Sequence, residues 1–263
     1  MASPSYPAEV ARLIEDLLAG VRDALVDNLL GCYLRGSLAL GDFDPETSDV
    51  DILVVTWLPV SEAEFEGLAA LHARVPPAKA NEYRRRYEVS YIDRASIKRF
   101  GPGERRHPRC ADDAPFGWAD HRPNWVLERW TVREQGVTLL GPDPKTLIDP
   151  IDAEEIRQAV RDELRERLRH WTDGSWPRED MLHRGAQAFE VETVCRALYT
   201  LATGELPTKP QAVAWALAAA PKPWRALIEW ARVYRGDGTR DAAKIEDVMS
   251  FLEWAASRVN DLK

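Results

Sequence analysis

Residues 35–55, RGSLALGDFDPETSDVDILVV, constrain this chain more than any other stretch. An apolar run from Gly31 to Leu34 reads as a strand and leads into Gly36-Ser37. After eleven intervening residues, Asp49-Val50-Asp51 opens a second apolar run, Ile52 to Val55. Strand side chains alternate between faces, so a strand over 49–56 turns Asp49 and Asp51 the same way. Two carboxylates side by side at the start of a buried strand repel each other and are costly to desolvate. A divalent cation with oxygen ligands removes both penalties, and magnesium is the usual choice where phosphate is the other ligand. Gly36 lets backbone approach an anion closely, and Ser37 supplies a hydroxyl and an amide. A short helix over Leu38 to Leu40 would turn its N-terminus toward phosphate. The stretch reads as a phosphate cradle beside a magnesium site, the equipment of nucleotidyl transfer. A plain hairpin with a polar turn is the alternative.

The remaining composition narrows the setting. A chain of 263 residues holds one large domain or two modest ones. No apolar run is long enough to span a membrane, and the N-terminus has no signal-peptide pattern. Cys32, Cys110 and Cys195 are scattered and odd in number, which fits reduced thiols in a cytoplasmic protein. The net charge of −8 argues against a phosphate-backbone binder and so against nucleic acid as partner. It suits a polycationic small molecule drawn to an acidic cleft, although many soluble proteins are simply acidic.

Apolar periodicity orders the rest of the chain. Residues 7–28 and 60–74 read as helices, and 87–93, YEVSYID, alternates as a strand. Glu88 on that strand is placed either to serve a two-Asp metal site as ligand or base, or to face solvent or pair with Arg84 to Arg86. Residues 100–124 are dense in Pro, Gly and charge and read as a long loop. His107, Cys110 and His121 within it lack a zinc-site spacing. A helix over 125–135 and a proline-rich stretch, 141–152, precede a helical second half with elements near 153–171, 180–203, 210–220, 223–235 and 240–260. The expected fold is α+β: a domain over 1–150 with a mixed sheet and helices, then a helical bundle over 151–263. Lys209 stands at a helix start, where a cation opposes the helix dipole unless an anion joins it. Arg196 lies thirteen residues earlier, with Glu192 as an ordinary partner one turn back.

The pattern strand–Gly36-Ser37–loop–Ser48-Asp49-Val50-Asp51–strand resembles the nucleotidyltransferase superfamily of the DNA-polymerase-β type. Together with VCRALYTLATGELPTKPQAVAWAL, 194–217, it resembles the aminoglycoside adenylyltransferases that modify streptomycin and spectinomycin. That resemblance implies transfer of AMP from ATP to an antibiotic hydroxyl, with Mg2+ on Asp49, Asp51 and Glu88 and with Glu88 as general base. It implies ATP contacts from Gly36, Ser37, Ser48, Arg196, Lys209 and Tyr234. Read from the residues alone, Ser48 caps the turn as readily as it reaches a phosphate, and Tyr234 is as readily a core residue.

The resemblance also implies antibiotic contacts from Trp125, otherwise a core tryptophan, and from Trp176 and Asp180, which fall close to the family's spacing without matching it. Ala186 stands where the family has a further acidic residue, with Glu190 four residues nearer Arg196, and this departure favours spectinomycin over streptomycin. A cytoplasmic monomer is expected. Rival readings are nucleotidylation of another small molecule, such as a lincosamide, and a non-catalytic, antitoxin-like nucleotide-binding module.

Overall fold

The computed structural model describes residues 7–45, 47–75, 87–99, 101, 106–111, 114–122, 124–175 and 179–258. The chain divides into two compact units, Met1–Pro150 and Ile151–Lys263. The first is α+β and the second helical, the fold class expected from the sequence.

A six-stranded sheet organises the first unit. Its strands are β1 (Leu29–Arg35), β2 (Val50–Thr56), β3 (Tyr87–Asp93), β4 (Arg106–Ala111), β5 (Ala114–Asp120) and β6 (Val137–Leu140), in the order β5-β4-β3-β2-β1-β6. Only β2 and β3 run parallel, and the helix α3 (Glu62–Arg74) lies between them in sequence. Ser61 opens α3 with a capping box against Glu64. The expected first helix spans Ala8–Leu25 (α1), ending in a 3-10 turn over Val26–Asn28.

Strand alternation divides the sheet into two unlike faces. One face carries Cys32, Leu34, Val50, Ile52, Val54, Val89, Tyr91 and Cys110, packed beneath Leu13, Leu17 and Val21 of α1 and Leu68 and Leu71 of α3. Fully burying an aliphatic side chain of this size stabilises by about 1.5–3 kcal/mol. The other face carries Arg35, Asp51, Glu88 and Arg109. Over it lies α5 (Asn124–Gln135), joined to α4 (Arg94–Lys98) by the Arg129–Ser96 hydrogen bond, while the one-turn helix α2 (Gly36–Leu40) at the end of β1 sends Leu38 into the apolar cluster.

The sequence reading of 100–124 as a loop is corrected. Within it, β4 and β5 form an antiparallel hairpin, with Arg106 opposite Asp120 and Ala111 opposite Ala114. The composition misled because β4 alternates toward the charged face, so His107 and Arg109 replace the apolar residues that usually announce a strand. Pro108 has no N–H to donate, and the recorded β3–β4 pairs, Val89–Cys110 and Ser90–Arg109, stop short of it. Phe65 of α3 packs on Phe116 and Trp118 of β5.

In the second unit, α6 (Ala153–Thr172), α8 (Lys209–Ala219), α9 (Lys222–Val233) and α10 (Ile245–Ser257) surround α7 (Arg184–Thr203). Helix α7 begins four residues later than expected, because Asp180–Leu182 forms a separate 3-10 turn. Its C-terminus is closed by Gly204 in the left-handed conformation. Two buried carboxylates on α7 are paired: Arg167 holds Glu190 through contacts of 2.8 and 3.0 Å, and Arg235 reaches Glu192 at 3.2 Å. The three cysteines are free and buried, and burial raises the Cys32 thiol to about 12. No helix among the described residues is long and apolar enough to cross a membrane.

Candidate active site

The site follows from register. Arg35 is opposite Asp51 on the antiparallel side of β2, and Asp51 is opposite Glu88 on its parallel side. Three charged side chains from three strands therefore stand in one row on one face. Helix α5 supplies the next charge. Trp125, Glu128, Arg129 and Val132 repeat at three and four residues, and Glu128 accepts a 2.5 Å hydrogen bond from Arg35 Nη1.

Arg35 is 7% exposed and is the hub of the cluster. Its Nη2 donates to Glu88 Oε1 at 2.5 Å, and its Nη1 lies 3.8 Å from Asp51 Oδ1. Arg109 grips Glu88 from the opposite side, with Nε 3.2 Å from Oε1 and Nη2 3.1 Å from Oε2. Burial disfavours both carboxylate charges, but the balance differs between them. For Glu88 the two guanidinium groups outweigh burial and lower its pKa to about 2. For Asp51, burial prevails over the more distant Arg35, aided by repulsion from Glu88, Glu128 and Asp49, and raises it to about 7.

Gly36 lies at the junction of β1 and α2 with φ +61°, and a Cβ there would come within 2.0 Å of Asp51 Oδ2. Only glycine fits both the backbone conformation and the space beside that carboxylate. Ser37 follows in α2, and its carbonyl accepts from the Asp42 amide, closing the turn. Ser48 Oγ accepts from the Asp44 amide at 3.0 Å, which is the turn-capping geometry. Asp49 precedes β2, which begins at Val50, so the expectation that both aspartates lie on the strand is corrected. Its charge nonetheless acts on Asp51.

The structure thus brings Gly36, Asp51 and Glu88 together, with Asp49 close enough to act on Asp51. Trp125 is 5% exposed, and its ring packs against His107 and His121 at 4.6 and 5.0 Å between centroids. Burial lowers the His107 pKa to about 3, with His121 adding to the effect. Trp176 and the arginines Arg84 to Arg86 lie outside the described residues, as does the side chain of Asp180.

Within the helical unit, Arg196 lies on α7 and Lys209 is the first residue of α8. Lys209 Nζ sits 4.5 Å above the Phe189 ring. Tyr234 ends α9, with the Arg184 guanidinium 4.8 Å over its ring. Glu190 is 2% exposed, and both its oxygens contact Arg167.

The donors fit magnesium chemically: hard carboxylate oxygens on Asp51 and Glu88, with Asp49 adjacent. Among the described residues no three such side chains form a ready metal cluster, and the guanidinium of Arg35 lies between Glu88 and Glu128. Sequence reasoning missed Arg35, Arg109 and Glu128. For Glu128, the 125-128-129-132 stripe was a usable signal.

Two family descriptions match the chain. The model "Nucleotidyltransferase domain" matches residues 18–107, and "Aminoglycoside adenylyltransferase, C-terminal domain" matches residues 146–258. Spectinomycin 9-adenylyltransferase of Campylobacter jejuni is 26% identical, over 98% of this chain and 96% of its own length. Aminoglycoside (3'') (9) adenylyltransferase of Shigella flexneri is 25% identical, over 96% and 95%. Spectinomycin adenyltransferase AAD(9) from Enterococcus faecialis, solved with ATP and spectinomycin, has a similar fold, with a TM-score of 0.75 at 18% identity, covering 95% of this chain and 99% of that one. A nucleotidyltransferase domain followed by this C-terminal domain places the chain in the aminoglycoside adenylyltransferase family.

Proposed function

We propose that this chain transfers AMP from ATP to a hydroxyl of an aminocyclitol or aminoglycoside, spectinomycin before streptomycin, and so inactivates the antibiotic. One observation carries the reading: Asp51 and Glu88 stand as paired carboxylates on neighbouring strands, beside a glycine that a side chain could not replace. The relatives named above act on such substrates by their printed names. The acidic chain suits a cationic partner. The enzyme works as a cytoplasmic monomer, apart from nucleic acid and membrane.

In this reading Asp49, Asp51 and Glu88 hold Mg2+, which when bound supplies Lewis-acid charge at the α-phosphate. Gly36, Ser37 and Ser48 lie against the phosphates. Arg196, Lys209 and Tyr234 are further ATP contacts, and Trp125, Trp176 and Asp180 serve the antibiotic. The substrate hydroxyl oxygen forms a bond to the α-phosphorus as the bond to pyrophosphate breaks, and the hydroxyl proton passes to the Glu88 carboxylate. With a pKa near 2, Glu88 is a weak base while Arg35 and Arg109 both hold it.

Pyrophosphate release from Mg-ATP, with spectinomycin, streptomycin or no acceptor, tests the assignment beside Asp49→Ala and Glu88→Ala. Release that needs one acceptor and vanishes in both variants is the expected result. Bound ATP without release on either drug redirects the search to other acceptors, lincosamides among them. Absence of ATP binding sinks the nucleotide assignment.

A further inference from the structure

We propose that Arg35 is a built-in counter-cation, which holds the carboxylates in place and makes the site accept a divalent ion only together with a triphosphate. This rests on the adenylyl-transfer reading above and adds a residue to it.

The argument is one of charge and geometry. Asp51, Glu88 and Glu128 come from β2, β3 and α5, and all three approach a single guanidinium. That guanidinium is nearly fully buried, so water cannot substitute for its partners. Its planar fork meets Glu88 and Glu128 through different nitrogens, which fixes the spacing between them. Arg109 adds a second positive charge on Glu88. Among the described residues, two guanidinium groups thus face these three carboxylates.

A divalent ion entering alone would have to claim Glu88 oxygens that Arg35 and Arg109 already hold, and it brings no anion to which either guanidinium could turn instead. The same ion carried on a triphosphate arrives with negative charge to spare. That charge draws the guanidinium away from Glu88 or shares it. Arg35 therefore couples metal entry to nucleotide entry. Arg35 is a positioning residue, since it works through Glu88 and Glu128.

The test is Mn2+ binding without nucleotide, followed by the electron paramagnetic resonance signal of the free ion, in wild type, Arg35→Gln and Arg35→Lys. Arg35→Gln is expected to bind Mn2+ about tenfold or more tightly than wild type, and Arg35→Lys to stay near wild type. A folded Arg35→Gln that binds Mn2+ no more tightly overturns the proposal.

Wild-type thermal melting keeps the question open to refutation if Arg35→Gln does not fold. Mn2+ alone should leave Tm nearly unchanged, and Mn2+ with α,β-methylene ATP should raise it. An equal rise with Mn2+ alone overturns the role of Arg35 while leaving adenylyl transfer standing. Failure of Mn2+ and the analogue together to bind overturns both.

Discussion

Leu34, Ile52, Val89 and Cys110 lie side by side across β1 to β4 beneath α1 and α3. One position along, Arg35, Asp51 and Glu88 lie side by side on the opposite face. The two rows share strands and register, yet they obey different physics. The apolar row is held by non-directional burial, which tolerates small shifts and asks mainly that volume be filled. The charged row depends on distances of 2.5 to 3.8 Å among groups from separate elements. Its Coulomb energies oppose desolvation costs of similar size, so little net stability remains. One face secures the fold, and the other, which adds little net stability, is the face that the proposed chemistry uses.

The sharpest way to break this contrast is to change one residue on each side. Asp51→Asn should lower kcat for pyrophosphate release by about a thousandfold, roughly 4 kcal/mol of barrier. Its urea midpoint should stay at or above wild type, because a pKa raised to about 7 means that the folded protein disfavours this charge. A large loss of stability in Asp51→Asn would show that the charged face is structural after all. Leu34→Ala should do the reverse, costing about 2–5 kcal/mol in denaturant unfolding while KM for ATP in the folded enzyme is unchanged.

Acid should expose a third difference. His107 lies on the charged face, with its pKa lowered from 6.5 to about 3 by burial. The unfolded chain therefore takes up a proton at this site between those values and the folded chain does not. Stability is fully present above about pH 6.5 and falls as pH drops toward 3, by at most ~1.4 kcal/mol per pH unit from this residue. His107→Phe should flatten that part of the pH–stability curve measured by chemical denaturation; an unchanged slope would refute the assignment. The smallest effect belongs to the helix over the apolar face. Ser61→Ala removes the capping box of α3 and should cost ~1 kcal/mol, with activity intact.

What could be read from the residues follows the same division. Helices α1 and α3 and strands β1 to β3 announced themselves through apolar periodicity, as did the bundle helices. The hairpin β4–β5 did not, since one of its faces is charged and the sequence of 100–124 is dense in Pro, Gly and charge. Gly36 and Asp51 stand beside each other as their motif suggested, whereas the residues alone left Glu88 between the site and a solvent-facing pairing, and only the resemblance favoured it. Arg35 was not legible: beside Gly36-Ser37 it reads as a polar residue closing an apolar strand. Only the pairing of β1 with β2 sets it opposite Asp51.

The sequence by itself determined most of the elements outside β4–β5, the α+β class and the chemistry on offer, because side-chain periodicity and residue type are local properties. Tertiary structure decided which charges meet. Arg35, Glu88, Arg109 and Glu128 are separated by as many as 93 residues, yet they meet through strand pairing and the seating of α5. Strand order, register and the seating of α5 are long-range, and a shift of one residue would carry the whole charged row to the apolar face.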